Sequence, residues 1–246
     1  AAGGLPGRGR WLAARARGGL EVVCLSVGQG DAAVLRLPDG RAVLVDAGGD
    51  ERGRRDPGAR DVVPFLRDMG VRQVAAAFVS PLHADPALGL PAVAAALPVE
   101  RLHGPRGIDA GALATGDEAS ARALSGLPPL APLGAGDEVV LAGVRFQVLA
   151  PSPAAGLAGN DASLVLRVVH GETAFLFPGD VERAGEEALL AAGAVGAAVV
   201  KVPHHGSRSS SGAALASAVR PRWAVISVAA HNRFGFPHPD AVRPCE

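Results

Sequence analysis

The sequence has 246 residues, of which 48% are hydrophobic and 20% are charged, so it can bury a full core and does not belong to the disordered class. Its 24 basic and 24 acidic residues balance, so the overall charge provides no attraction to nucleic acid. Two cysteines are too few for a disulfide framework, and no apolar run is long enough for a membrane span, which favours a soluble chain.

The first half of the chain begins with a segment that has no apolar periodicity. Residues 1–19 are rich in Gly and Arg, and we expect a flexible leader or linker ahead of one domain over residues 20–246. The apolar runs that follow predict an antiparallel meander, a short helix, a buried strand and a second helix, at Glu21–Val27, Ala32–Leu37, Ala42–Asp46, Asp61–Met69, Val74–Val79 and Pro86–Leu97. Residues 104–136 are rich in Gly and Pro, and no element is predicted there.

The second half repeats the order of strands followed by alternating helices and strands. The predicted strands are Glu138–Leu141, Val144–Ala150, Ser163–Val169, Thr173–Phe177, Val199–Val202 and Trp223–Val228. The predicted helices are Arg183–Ala192 and Gly212–Val219. This order predicts an α/β fold in which two sheets lie between layers of helices.

Polar residues follow several of the predicted strands, where sites in α/β folds are built. They occur at Asp46, at Ser80–Pro86, at Asn160–Ser163, at Asp180 and at His204–Ser207. An Asp at the end of a strand is more often a turn former or helix cap than a ligand. Two adjacent histidines followed by Gly-Ser are harder to explain as surface residues, and they favour a site.

Six segments in chain order resemble the motifs of the C-terminal hydrolase domain of ComEC-type DNA-uptake (competence) proteins. They are Val27–Ala32, Leu44–Gly48, Asn160–Leu166, Phe177–Asp180, Lys201–Ser207 and Asn232–Pro239. The resemblance implies a metallo-β-lactamase αββα sandwich, with two mixed sheets between helices. It also implies a metal-dependent hydrolase, a nuclease that acts on DNA, with no organic cofactor.

The motif expected to bind metal departs from the family pattern HxHxDH. The chain reads Pro81-Leu82-His83-Ala84-Asp85-Pro86, so proline stands at both flanking positions, and proline offers no side-chain ligand. Carried over residue by residue, the resemblance implies one divalent ion, Mn²⁺, Mg²⁺ or Zn²⁺, held by Asp85, Asp180 and His204. His83 is a further candidate ligand, and a second ion is not expected.

The remaining motif residues receive supporting roles. We expect His205 or His238 to donate a proton or to hold a phosphate oxygen, and Ser207 with the Gly206 backbone to contact phosphate. Asp31, Asp46, Asn160 and Asn232 are expected to support the ligands or to brace loops. Phe236 stands where the family has the first His of a His-Pro-His-Pro ending, and the other histidines, such as His103 in a predicted loop, receive no role.

Three readings of function remain open at this point. One is a weakened metal-dependent phosphodiesterase that cuts single- or double-stranded DNA, and the second is a catalytically inactive domain that binds DNA or a partner. The third, a small-molecule hydrolase of the lactamase type, fits the fold but not the specific motifs. Family relatives carry a membrane-embedded portion, so the resemblance implies a place on the outer side of a bacterial membrane, attached to such a portion. The chain is then either a free-standing domain or a fragment, and its end at Cys245-Glu246, where a terminal helix is expected, indicates truncation.

Overall fold

A computed structural model describes residues 18–49, 56–80, 89–107 and 126–245. Within these ranges the chain forms two six-stranded mixed sheets, one from each half of the sequence. In spatial order, the first sheet contains β1 (Glu21–Cys24), β2 (Ala32–Arg36), β3 (Ala42–Ala47), β4 (Val74–Phe78), β5 (Leu102–Pro105) and β6 (Leu130–Leu133). The second contains β12 (Trp223–Val225), β11 (Val199–Lys201), β10 (Thr173–Phe177), β9 (Val165–His170), β8 (Val144–Ala150) and β7 (Glu138–Leu141).

Both sheets change from antiparallel to parallel pairing along the chain. In the first sheet β1, β2 and β3 form the predicted antiparallel meander, and β3 to β6 run parallel. In the second sheet β7 to β10 are antiparallel, and β11 and β12 are added in parallel. Parallel neighbours require crossover connections, and helices occupy several of them. The helices are a π-helical turn (Gly58–Val62) that continues into α1 (Val63–Asp68), then α2 (Leu90–Ala96), α3 (Arg183–Ala192), α4 (Ala213–Val219) and α5 (Pro239–Val242).

Three apolar layers hold the two sheets and the helices together. Alternate residues of β2 to β4 face α1 and α2, as Val34 and Leu44 do with Leu66. The inner faces of the two sheets, which point away from the helices, meet in a central layer. This layer contains Phe78 and Phe146, whose rings stack with centroids 4.9 Å apart. The outer face of the second sheet packs on α3 and α4. The order of layers is therefore helix, sheet, sheet, helix, and the predicted αββα architecture is confirmed.

The first half contains two strands that the sequence analysis did not predict. β5 and β6 lie within or beside the Gly/Pro-rich stretch, and Pro105 and Pro132 lack the N–H group that a ladder needs. β6 tolerates proline because it is the edge strand, and Pro105 is the last residue of β5. His103 was expected in a loop; instead it lies in β5, buried and stacked on Phe78 at 4.9 Å between ring centroids.

The other predicted elements are present with small changes at their ends. α3 has the predicted bounds, and β11 and β12 end one and three residues earlier than predicted. The helix predicted over Pro86–Leu97 is described from Gly89, where it gives α2. Most of the expected leader, residues 1–17, lies outside the described residues. Within the described ranges no helix is long and apolar enough to cross a membrane.

Candidate metal and phosphate site

The site lies where the carboxyl ends of strands from both sheets meet. Asp46 is the next-to-last residue of β3, Asp180 follows β10, and His204 and His205 follow β11. Asp31 comes from the turn between β1 and β2, so the first sheet contributes to the same place. Side chains from distant parts of the sequence converge here because strand ends of α/β sheets share one edge.

The His204–His205 segment has a backbone that side-chain-bearing residues seldom adopt. Both histidines have positive φ, 44° and 54°, and Gly206 follows at 79°. A Cβ on Gly206 would lie 2.7 Å from Cβ of Pro237, so only glycine fits between the two loops. The His238 N–H donates to the Gly206 carbonyl at 2.8 Å, which fixes the 232–239 segment against the histidine turn. Backbone conformations of this kind cost about 1–3 kcal/mol each and occur often at functional sites.

Asp31, Asp180 and His205 form a group with the ligand types and spacing of a metal site. One ligand atom from each lies within 4.8 Å of the others, and His205 Nε2 is 3.8 Å from Asp180 Oδ1. Ligand atoms around a divalent ion with bonds of about 2.1 Å lie roughly 3–3.5 Å apart, so a small contraction is enough. The Oδ1 atoms of Asp31 and Asp180 are buried and have no hydrogen-bond partner among the described residues.

A cation of the protein already contacts this group. Lys201 is buried at the end of β11, and its Nζ forms an ion pair with Oδ2 of Asp31. Burial by itself raises the pKa of Asp31, but the Lys201 ammonium and the His205 ring hold that pKa well below its usual range. Burial lowers the pKa of Lys201, and the Asp31 carboxylate more than offsets this. The ion pair therefore spans the two sheets with both partners charged.

His205 lies between carboxylates of both sheets. Its Nδ1 is 2.9 Å from the Ser227 carbonyl oxygen and 3.6 Å from Asp31 Oδ1. Although burial lowers the pKa of His205, the contact with Asp31 raises it above its ordinary value overall. The imidazole therefore takes up a proton more readily than an ordinary histidine does.

His204 makes a different set of contacts from its neighbour. Its Nδ1 lies 3.0 Å from Oε1 of Glu182, and its ring meets Phe236 edge-on at 5.8 Å between centroids. The same Glu182 oxygen accepts hydrogen bonds from Ser209 Oγ at 2.9 Å and from Asn160 Nδ2 at 3.3 Å. With Nδ1 beside a carboxylate, Nε2 is the nitrogen left for a metal or a substrate oxygen.

The other residues singled out from the sequence hold loops at the rim of the site. Asp46 has a φ of 56° and accepts a hydrogen bond from the Ser80 N–H at 2.9 Å. Burial is the main cause that raises the pKa of Asp46 well above its usual range, and the negative charge of Asp31 adds to it. The Asn232 side chain makes four hydrogen bonds to backbone groups of residues 229–236. The Ser207 hydroxyl is 2.9 Å from that of Ser209, and Nδ1 of His238 accepts the Asp240 N–H at the start of α5.

Two predicted ligands cannot be placed. His83 and Asp85 belong to residues 81–88, which lie outside the described residues. The described chain enters this segment at Ser80, bonded to Asp46, and leaves it at Gly89, whose N–H donates to the Gly48 carbonyl at 3.1 Å. Both ends of the segment therefore lie beside the loop that carries Asp46.

Sequence reasoning assigned no role to Lys201 or Glu182. One feature of the sequence could have pointed to Lys201, because it is the only lysine among 24 basic residues. Glu182 had none, because a Glu two residues after a Gly-Asp is unremarkable without the fold. Asp31 and His205, expected to brace a loop and to act in catalysis, lie closer to Asp180 in ligand geometry than the spacing of the motifs indicated.

Comparison with known proteins gives one family. The model described as Metallo-beta-lactamase superfamily matches residues 25–231. ComE operon protein 3 of Bacillus subtilis is 28% identical over 89% of this chain and 29% of its own length. Competence protein ComA of Neisseria gonorrhoeae is 39% identical over 39% of this chain and 14% of its own length. The chain thus spans less than a third of each of these relatives.

Among solved structures, a metallo-beta-lactamase from Staphylococcus aureus aligns with a TM-score of 0.46 at 14% identity, over 71% of this chain and 51% of that one.

Proposed function

The chain belongs to the metallo-β-lactamase superfamily and is related to the competence proteins of the ComEC family, and we propose that it is a metal-dependent phosphodiesterase domain that acts on DNA. The observation that carries the proposal is the buried Oδ1 of Asp180, which has no hydrogen-bond partner among the described residues and lies 3.8 Å from Nε2 of His205. A buried carboxylate oxygen without a donor is costly unless something else binds it, and a metal ion is the usual solution in this setting.

One divalent ion, Mn²⁺, Mg²⁺ or Zn²⁺, would be held by Asp180 and His204 together with Asp85. The donor set suits such an ion, since Asp180 Oδ1 has lone pairs to offer and Glu182 occupies only Nδ1 of His204. His83 is a further candidate ligand. When bound, the ion would lower the pKa of a water molecule and polarise a phosphoryl oxygen.

The chain's own groups would then bind and orient the phosphodiester. The raised pKa of His205 suits its ring to hold a phosphate oxygen or to donate a proton to it. His238 is a second candidate for this step. The Ser207 hydroxyl and the backbone around Gly206 face the same turn and supply neutral donors for phosphate.

The DNA substrate is supported by the relatives and by an aromatic surface at the rim. Phe234 and Phe236 stack at 5.3 Å between centroids, Arg233 lies over the Phe234 ring at 4.9 Å, and Phe236 reaches His204. Phe234 is 41% exposed. Exposed aromatic rings beside a charged site are the usual platform for bases of single-stranded nucleic acid. A place on the outer side of a bacterial membrane, joined to a membrane-embedded portion, completes the proposal.

One observation favours the second candidate, an inactive domain that binds DNA or a partner. Pro81 and Pro86 replace two histidines of the metal motif, and Phe236 puts an apolar ring against His204 where the family has another imidazole. This candidate predicts DNA binding without cleavage under any metal.

A cleavage assay separates the two candidates. The purified chain is incubated with single- and double-stranded DNA and Mn²⁺, Mg²⁺ or Zn²⁺, and Asp180→Ala is compared with His231→Ala, an exposed residue of the neighbouring loop. We expect metal-dependent cleavage that Asp180→Ala abolishes, together with bound metal, and that His231→Ala retains. Activity that survives EDTA would contradict the mechanism, and binding without cleavage would establish the second candidate.

A further inference from the structure

The strongest unassigned feature is the buried Lys201. A lysine side chain is seldom fully buried without a partner, and the only lysine of this chain is 5% exposed. Its ammonium is paired with Asp31, and the carboxylates of Asp180 and Asp46 are close enough to act on its charge. The proposed mechanism makes no use of this cation.

The ammonium lies beside a cluster that has the ligand types of a metal site. Asp31, Asp180 and His205 present their ligand atoms to one another within 4.8 Å, and the buried Oδ1 atoms of both carboxylates make no hydrogen bond among the described residues. A divalent ion between them needs Asp31 as an oxygen ligand. Oδ2 of Asp31 is paired with Lys201, so an ion bound to Oδ1 would lie close to the ammonium, and two cations repel strongly in a buried setting.

We propose that the Lys201 ammonium is a built-in cation that takes the place of a metal ion in the Asp31–Asp180–His205 cluster, so that this cluster binds no divalent ion while Lys201 is present. The lysine then has two effects. It balances the carboxylates that the two sheets bring together, and it restricts metal to ligand sets that do not include Asp31. The inference does not depend on the proposed nuclease activity, because it concerns which ions the cluster accepts.

The choice of lysine fits this role. Every other basic residue apart from the histidines is arginine, so the chain departs from its own preference at this one position. A guanidinium is a broad planar group, whereas an ammonium is a compact point charge of the size of a small cation. A compact charge suits this buried position at the end of β11 beside Asp31.

The test is a gain of metal binding. Mn²⁺ binding to the complete 246-residue chain is measured by calorimetry and elemental analysis for wild type, Lys201→Met, Lys201→Arg and the double variant Asp31→Asn with Lys201→Met. We expect Lys201→Met to bind one Mn²⁺ per chain more than wild type, because it exposes a ligand set without a competing cation. Lys201→Arg keeps the charge and the double variant lacks the ligand, so neither gains an ion.

A measurement of thermal stability decides the question if Lys201→Met folds poorly. An unpaired Asp31 destabilises the fold, and metal that binds only the folded state restores it. We therefore expect the thermal midpoint of Lys201→Met to fall without metal and to recover with Mn²⁺. If Lys201→Met gains no Mn²⁺, or stays unfolded with Mn²⁺ while the double variant folds, the proposal is wrong.

A measurement on the unmodified chain needs no variant. Because the chain has one lysine, a lysine-selective ¹⁵N label gives a single side-chain Nζ signal in NMR spectra. We expect saturating Zn²⁺ to leave this signal in place, since the ammonium keeps its pair with Asp31. Displacement of the signal by Zn²⁺ would show that metal replaces the lysine, and it would overturn the inference.

Discussion

Replacement of Glu182 tests whether His204 is a metal ligand positioned by its neighbour. Glu182 Oε1 lies 3.0 Å from His204 Nδ1 and is itself held by Ser209 and Asn160. Loss of a carboxylate that orients a ligating histidine costs 10- to 100-fold in metal affinity in known sites, or about 1.4–2.7 kcal/mol. We expect Glu182→Ala to weaken Mn²⁺ binding within this range.

The glutamine variant separates charge from geometry. Glu182→Gln keeps an acceptor for Ser209 but loses the charge that favours a proton on Nδ1 of His204, so we expect an intermediate loss of affinity. Glu187→Gln is the matched control, because Glu187 lies exposed on α3, close in sequence. Calorimetry with Mn²⁺ measures all three variants.

A second readout does not involve metal. Long-range ¹H–¹⁵N spectra of the metal-free chain report which nitrogen of His204 carries the proton, and we expect Nδ1 in wild type and a mixture in Glu182→Gln. The reasoning is refuted if Glu182→Ala binds Mn²⁺ within twofold of wild type, or if the His204 tautomer is the same in all variants.

Three further predictions concern the rim, the core and the histidine turn, with the exposed His231→Ala as control for each. Phe234→Ala should weaken single-stranded DNA binding by about 5- to 160-fold, because base stacking contributes about 1–3 kcal/mol. A filter-binding assay that finds no loss would contradict the role of this ring in DNA binding. Burial lowers the pKa of His103, so below about pH 6.5 the unfolded chain binds a proton that the folded chain does not, and the free energy of unfolding falls. Urea unfolding from pH 7.5 to 5.5 should therefore show a smaller loss of stability in His103→Leu than in wild type, by up to about 1.4 kcal/mol per pH unit. Gly206→Ala should lower the free energy of unfolding by about 1–3 kcal/mol and weaken Mn²⁺ binding, because its φ is 79° and the new Cβ meets Pro237; unchanged values would show that the two loops can move apart.

Most of the second half of the fold could be predicted because its apolar patterns are strong and its turns are short. β9 and β10 are apolar runs joined by a short turn, and α3 buries one side of an amphipathic segment. The first half was harder where Gly and Pro fall inside strands. β5 and β6 form because parallel neighbours and an edge position compensate for their sequences, and a single sequence does not display those neighbours.

The site was predictable as a set of motif residues and not as a set of contacts. Asp31, Asp46, Asp180 and His205 were all named from the sequence, and the structure places them around one point. Which carboxylate takes which cation depends on distances between residues far apart in sequence, such as Asp31 and Lys201. Motif spacing contains no information on these distances.

The origin of each sheet from its own half of the chain has a consequence for sequence change. The Asp31–Lys201 pair joins residues on opposite sides of the midpoint, and the Gln29 side chain accepts the Ala229 N–H at 3.4 Å across the same junction. A change of charge at residue 31 therefore requires a compensating mutation near residue 201, more than half the chain away. Chimeras that join the first half of one homologue to the second half of another would bring unmatched charges together at the junction between the two sheets. This would happen even when each half keeps its own packing. Residues at the junction between the sheets, such as Asp31 and Lys201, must therefore change together during evolution.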